Sequence, residues 1–184
     1  MKRTGTYAVV CSAVFGLGIL AAAQEMPAPP KPGPEHAVFK DVEGTWDAKV
    51  ENWVGPGEPA VSAGTEVNRV GCGGLCSISD FKSTIMNMPF EGHGTETWDP
   101  QKKKYVGSWT DSMSAGLLVS ENSYDPATKT MTGTMEGPDM TGNITRMKGK
   151  SVLKDANNRV FEMYNIGKDG KETLSMRITY TRKK

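Results

Sequence analysis

Pro89-Phe90-Glu91-Gly92-His93-Gly94-Thr95-Glu96-Thr97-Trp98-Asp99-Pro100-Gln101-Lys102-Lys103-Lys104-Tyr105-Val106-Gly107-Ser108-Trp109-Thr110-Asp111-Ser112-Met113 reads as two antiparallel strands joined by a polar turn. Residues 91–98 run one way and residues 104–111 run back. Asp99 before Pro100 is turn chemistry: the Asp side chain accepts from its own backbone, and Pro presets φ. The device recurs at Tyr124-Asp125-Pro126-Ala127-Thr128-Lys129, between two further strand-like runs. An aromatic-Asp-Pro link used twice announces an antiparallel meander.

Outward from this hairpin, the chain after Gly44 is strand and turn to its end. Strands are expected over residues 45–54, 62–70, 75–82, 90–98, 104–111, 116–124, 130–136, 143–154, 159–166 and 172–182, about ten at the regular spacing of a sandwich or barrel. Turn signals separate them at Gly55-Pro56-Gly57, Gly73-Gly74, Asn87-Met88-Pro89, Gly137-Pro138-Asp139, Asp155-Ala156-Asn157-Asn158 and Lys168-Asp169-Gly170. Alternation is plain at both ends. Trp46, Ala48 and Val50 oppose Asp47, Lys49 and Glu51; Leu174, Met176, Ile178 and Tyr180 oppose Ser175, Arg177, Thr179 and Thr181. No segment reads as a crossover helix, so a parallel sheet is not expected. A meander with one apolar face closes best on itself, because closure removes its edges. The expected fold is all-β: an up-and-down antiparallel barrel with one short N-terminal helix.

Before the barrel, Lys2 and Arg3, an apolar run over residues 7–20 and Ala21-Ala22-Ala23 follow the order of a secretory signal peptide. Residues 1–23 are expected to be removed on export to the periplasm or medium, leaving no integral membrane span. Residues 24–33 are a Pro-rich linker. Residues 34–184 form a single domain, opened by a helix at Pro34–Glu43 that Gly44 stops. The formal net charge of +1 offers no basic excess for nucleic acid.

Cys72 and Cys76 flank Gly73-Gly74-Leu75. In a straight strand, residues four apart lie about 13 Å from each other and cannot bond. Across a three-residue hairpin loop they face one another at disulfide distance. Export lets such a bond persist; two free, buried thiols are the other arrangement.

A short helix followed by Gly44-Thr45-Trp46 resembles the calycin barrels: lipocalins, fatty-acid-binding proteins and nitrobindin-like proteins. A closer resemblance covers nearly all of the chain after the linker. It rests on Pro34-Glu35-His36, Gly44-Thr45-Trp46-Asp47, Met88-Pro89-Phe90-Glu91-Gly92, Tyr105-Val106-Gly107-Ser108-Trp109 with Asp111-Ser112-Met113, Tyr124-Asp125-Pro126-Ala127-Thr128-Lys129-Thr130, Phe161-Glu162-Met163-Tyr164 and Ile178-Thr179-Tyr180-Thr181-Arg182-Lys183. In these the chain is similar to the bacterial family catalogued as domain of unknown function 1579. The resemblance implies a calycin-like barrel and no established activity, so no catalytic residue is carried over. By similarity to calycins, Trp46 is expected to pack across the closed end beside Arg177 or Arg182 as a stability site.

The same resemblance prompts a test for haem, which nitrobindin-like barrels hold through a histidine near the C-terminus. No histidine follows His93, so that site is not expected here. Copper is the second test: Met86, Met88, Met113, Cys72 and Cys76 offer soft sulfur, yet Met is also the ordinary filler of adaptable cores. No cofactor and no metal site is expected. Glu96, Asp111 and Glu121 lie on neighbouring strands and, with His93, would be the acid–base groups of an enzyme. No nucleophile elbow, His-Glu-x-x-His or phosphate loop accompanies them, and no residue is assigned a catalytic role.

The expected function is an exported binder of an apolar or amphipathic small molecule inside the barrel. His93, Trp98, Trp109, Met113, Met163 and Tyr164 are the candidate ligand contacts, with Leu118, Met176 and Tyr180 also read as inward. A ligand-free structural or protein-interaction module of the cell envelope is the alternative.

Overall fold

Alternating apolar and polar residues dictate strands whose two faces meet different surroundings. In the computed structural model, which describes residues 28–85, 87–139 and 141–184, ten such strands close into one barrel. They are β1 (Gly44–Asn52), β2 (Ala60–Gly71), β3 (Cys76–Ile85), β4 (Met88–Asp99), β5 (Lys104–Asp111), β6 (Leu118–Asp125), β7 (Thr130–Pro138), β8 (Ile144–Asp155), β9 (Asn158–Ile166) and β10 (Glu172–Arg182). Each pairs antiparallel with its chain neighbour, and β10 returns to pair with β1, Trp46 opposite Arg182 and Val50 opposite Ile178. The expected leader, residues 1–23, and the first part of the linker, residues 24–27, lie outside the described residues, as does Met86. The barrel and its entry segment form one compact unit, Lys31–Lys184.

The entry segment is a 3-10 turn, Pro34–His36, running into α1 (Ala37–Val42). The sequence pattern puts Ala37, Val38, Asp41 and Val42 on one side, with Phe39 flanking. The residue the helix buries is Phe39, whose ring meets His36 and Tyr105 edge-on. So short a helix presents one residue inward, and the bulkiest apolar side chain takes that place. Backbone oxygens of the segment are then claimed by the barrel. Tyr105 Oη donates to Glu35 O at 2.7 Å, Trp46 Nε1 to Val42 O at 2.9 Å, and Arg182 to Asp41 O at 2.9 Å and to Glu43 O. These bonds hold the segment across the end where β1 begins and β10 finishes. The opposite end carries the other five links, between β1 and β2, β3 and β4, β5 and β6, β7 and β8, and β9 and β10.

Trp46, Ala48, Val50, Phe81, Ile178 and Tyr180 form the buried core, with Phe90, Trp109, Leu153, Phe161 and Met176 packed on it. Its buried members come from β1, β3 and β10.

Candidate functional site

Directly paired residues of an antiparallel sheet share a face, so the inward face of β1 can be followed around the wall. Trp46 stands opposite Glu66, Glu66 opposite Phe81, Phe81 opposite Gly92, and Gly92 opposite Asp111. A second line runs from Ser77 through Glu96, Gly107, Ser120 and Met135 to Met147. A third runs from Trp98 through Tyr105, Asn122, Gly133 and Gly149 to Met163. All of these line the interior.

Of the candidate contacts, Trp98 and Met163 are on these inward lines, and Trp109, opposite Gly94, shares their face. Trp98 stacks edge-on with Tyr105 at 5.0 Å, next to the helix-covered end. Trp109 lies over the bare backbone of Gly92 and Gly94, where any side chain would collide with its ring, and its Nε1 donates to Asp111 at 3.0 Å. Met113 follows β5 at the open end, its amide donating to Asp111. His93 and Tyr164 lie on the other face of the wall. His93 pairs with Asp80 and Thr110 on the outer face, and its Nδ1 meets Asp80 at 2.7 Å beside Arg69. Those two contacts hold the Asp80 carboxyl below its ordinary range, His93 first. Tyr164 also points outward and donates to Glu162 at 2.8 Å, a bond that raises its own pKa. A side chain changes face at every residue, so Tyr164 turns out where Met163 turns in.

The carboxylates do not converge. Glu121 is outside, paired with Lys102. Asp111 is inside but braces the link after β5 through Trp109, Met113 and Ser114. Glu96 faces the lumen too, and among the described residues no Lys, Arg or His pairs with it. Asn122 on β6 reaches it across β5, its Nδ2 donating at 2.8 Å. Between them stands Gly107, where a Cβ would lie 2.7 Å from Ser120 Oγ and 3.8 Å from the Glu96 Cβ. Gly133 clears the other flank of Asn122, where a Cβ would strike its amide oxygen. Burial pushes the Glu96 carboxyl above its ordinary range, and the Asn122 bond pulls it partly back.

A second polar pair lies nearer the core. Arg159 donates to Glu66 at 2.5 Å with both side chains buried, and Asn68 donates to the same oxygen at 2.5 Å. The Arg159 guanidinium stacks 3.7 Å from the Tyr180 ring and 4.9 Å from that of Trp46. Trp46 is fully buried, and Arg182 covers its ring at 4.1 Å. Arg177 faces out toward Glu162 and Trp53 instead. Glu66, Arg159 and Asn122 escape a reading of motifs alone. Parity was the available signal: Arg159 shares its face with Phe161 and Met163, as Glu96 does with Trp98.

Cys72 opens a 3-10 turn, Cys72–Gly74, and Cys76 begins β3 just after it, with Cα atoms 5.5 Å apart and sulfurs joined. Among the described residues, no group of three or more His, Cys, Asp or Glu side chains is placed to hold a metal. Among them too, no helix is long and apolar enough to cross a membrane.

Comparison with known proteins gives a family and a fold. The model of a family described as "Protein of unknown function (DUF1579)" matches residues 31–182. No curated protein matches the sequence. Rv2717c from M. tuberculosis is similar in structure, with a TM-score of 0.62 and 8% identity over 83% of this chain and 99% of that one. A redesigned beta barrel aligns with a TM-score of 0.44 and 16% identity, over 80% of this chain and 96% of its own.

Proposed function

This chain belongs to the DUF1579 family, and since that family's description supplies no activity, we propose a function from the barrel itself: an exported binder that takes one apolar or amphipathic small molecule into its lumen. The observation that carries this reading is a set of large inward side chains that keep accessible surface. Trp109, Met135, Phe161, Met163 and Met176 face inward yet stay only half-buried. A barrel of about eight strands can be filled by its own side chains, and a wider one leaves room for a ligand. Met and aromatic walls with a few polar anchors suit an adaptable apolar pocket. Export is supported by Lys2, Arg3, the apolar run over residues 7–20 and Ala21-Ala22-Ala23.

A second reading has one observation in its favour. The exposed large hydrophobics, Val54, Val61, Met88, Leu117, Val119 and Ile144, all sit at the open end. A protein-interaction module of the cell envelope would present such a rim.

Native mass spectrometry of protein recovered from the periplasm or medium separates the two, followed by lipid extraction and titration with a fluorescent fatty alcohol. The binder is expected to carry a bound small molecule or to saturate at one per chain, with a mass lacking residues 1–23. No co-purified molecule and no saturable uptake would end the binder reading. A mass retaining the leader would end the export claim.

A further inference from the structure

Resting on the binder reading above, we propose that the floor of the lumen recognises the protonated amino head of an amphiphile, with Glu96 as its acceptor. Glu96 lies deep in the molecule and still keeps accessible surface, and the surface it keeps faces the lumen. A carboxylate can accept about four hydrogen bonds. Among the described residues the one side-chain donor to Glu96 is Asn122, and no Lys, Arg or His forms an ion pair with it. The contrast with Glu66, met by both Arg159 and Asn68, is direct.

The surroundings of Glu96 are polar but uncharged. Gly133 leaves room for the Asn122 amide, Gly107 leaves room for Ser120 beside Glu96, and Ser77 and Ser120 are neutral polar neighbours on the same inward line. Above the floor, Trp109, Met135 and Met163 offer apolar wall for a hydrocarbon chain.

Charge decides the sign of the ligand. Among the described residues the inward cations are engaged: Arg159 pairs with Glu66, leaving only its Nε without an acceptor, and Arg182 donates to Asp41 O, Glu43 O and Ala156 O at the helix-covered end. Tyr105, the titratable group nearest on β5, donates to Glu35 O, and burial first, then the Glu96 charge, pushes its pKa up to about 12, so it stays neutral. Asp111, at the rim, adds a second negative group already occupied by Trp109 and Ser114. An ammonium would supply Glu96 with the missing counter-charge and donors, and charge-assisted bonds in a low-dielectric site are strong.

The test compares decylamine, decanol and decanoate by calorimetry on the processed chain and on Glu96→Gln. The wild type is expected to bind decylamine tightest and decanoate weakest. Glu96→Gln is expected to lose on the order of tenfold in decylamine affinity, which calorimetry resolves easily, and to lose much less with the uncharged decanol. Decanoate binding as tightly as decylamine in the wild type would overturn the inference and leave the binder reading intact. So would a decylamine affinity that Glu96→Gln does not move. If none of the three compounds binds the wild type, the binder reading falls and this inference falls with it.

Discussion

Trp46 shows how much rests on a single side chain. Its indole is fully buried, its Nε1 anchors the helix through Val42 O, and its faces meet two guanidinium groups, Arg182 and Arg159. Removing it deletes a large apolar volume, a hydrogen bond and two cation–π contacts together. Trp46→Ala is expected to destabilise by about 3–5 kcal/mol, read as the shift of a urea unfolding curve; a shift under about 1 kcal/mol would refute the placement. Glu96 makes the opposite case. Burial raises its pKa in the folded state, so the fold prefers its protonated form. Its penalty is therefore absent below the ordinary value of 4.5 and grows as pH rises through the raised folded value. Glu96→Gln is expected to melt higher than wild type at neutral pH, with the gap closing in acid. Equal melting temperatures at both pH values would contradict it. A residue that costs stability at neutral pH is what a ligand-binding floor would retain. Trp46 was legible in the sequence because Gly-x-Trp at a first strand is a recognisable pattern. Glu96 was legible only as an acid on a strand; its lack of a counter-charge depends on what stands opposite.

At the level of elements, the turns carry their own instructions. Asp99 accepts from the amides of Gln101 and Lys102 at 2.9 and 3.0 Å, and Asp125 accepts from Ala127 and from the Thr128 hydroxyl. Asp139 and Asp155 repeat the device in two further links. In Asp125, Asp139 and Asp155 these bonds hold the carboxyl below its ordinary range. Because an Asp turn is local, the hairpins could be read in the chain before any tertiary contact was known. The Cys72–Cys76 link is local too, closing the turn between β2 and β3. Cross-linking so small a loop adds about 2 kcal/mol in the chain-entropy account. Denatured, unreduced protein is expected to show neither thiol reactive, and the double Ser variant to fold with a stability loss of about that size. Two reactive thiols would refute the bond. The helix was legible in extent, from Pro34 to the stop at Gly44, but not in which side it buries. Phe39 faces inward because Tyr105, 66 residues on, waits there, and spacing within the helix carries no trace of that.

The whole molecule is a meander whose last strand finds its first. β1 pairs with β10 over residues 46–52 and 176–182, which removes both sheet edges. No strand then keeps a face of its own to unfold against, so the barrel is expected to lose its sheet and its Trp environments in one transition. Coincident far-UV and near-UV circular-dichroism melts would show this; separated midpoints would mean that closure is not cooperative. Strand number, turn positions and closure were present in the chain, because period-two alternation and Asp, Gly and Pro turns act over a few residues. The ligand contacts were less so. His93 and Tyr164 lie outside, and Glu66, Arg159 and Asn122 lie inside, because facing is set by register, and one residue's slip exchanges the two sides. The sequence by itself determined that this chain would curl into an antiparallel barrel behind a short helix. Only the tertiary structure decided which polar groups entered the lumen and which of them, Arg159 with Glu66 but not Glu96, found a counter-charge there, because those partners come from strands distant in the chain and meet only on closure.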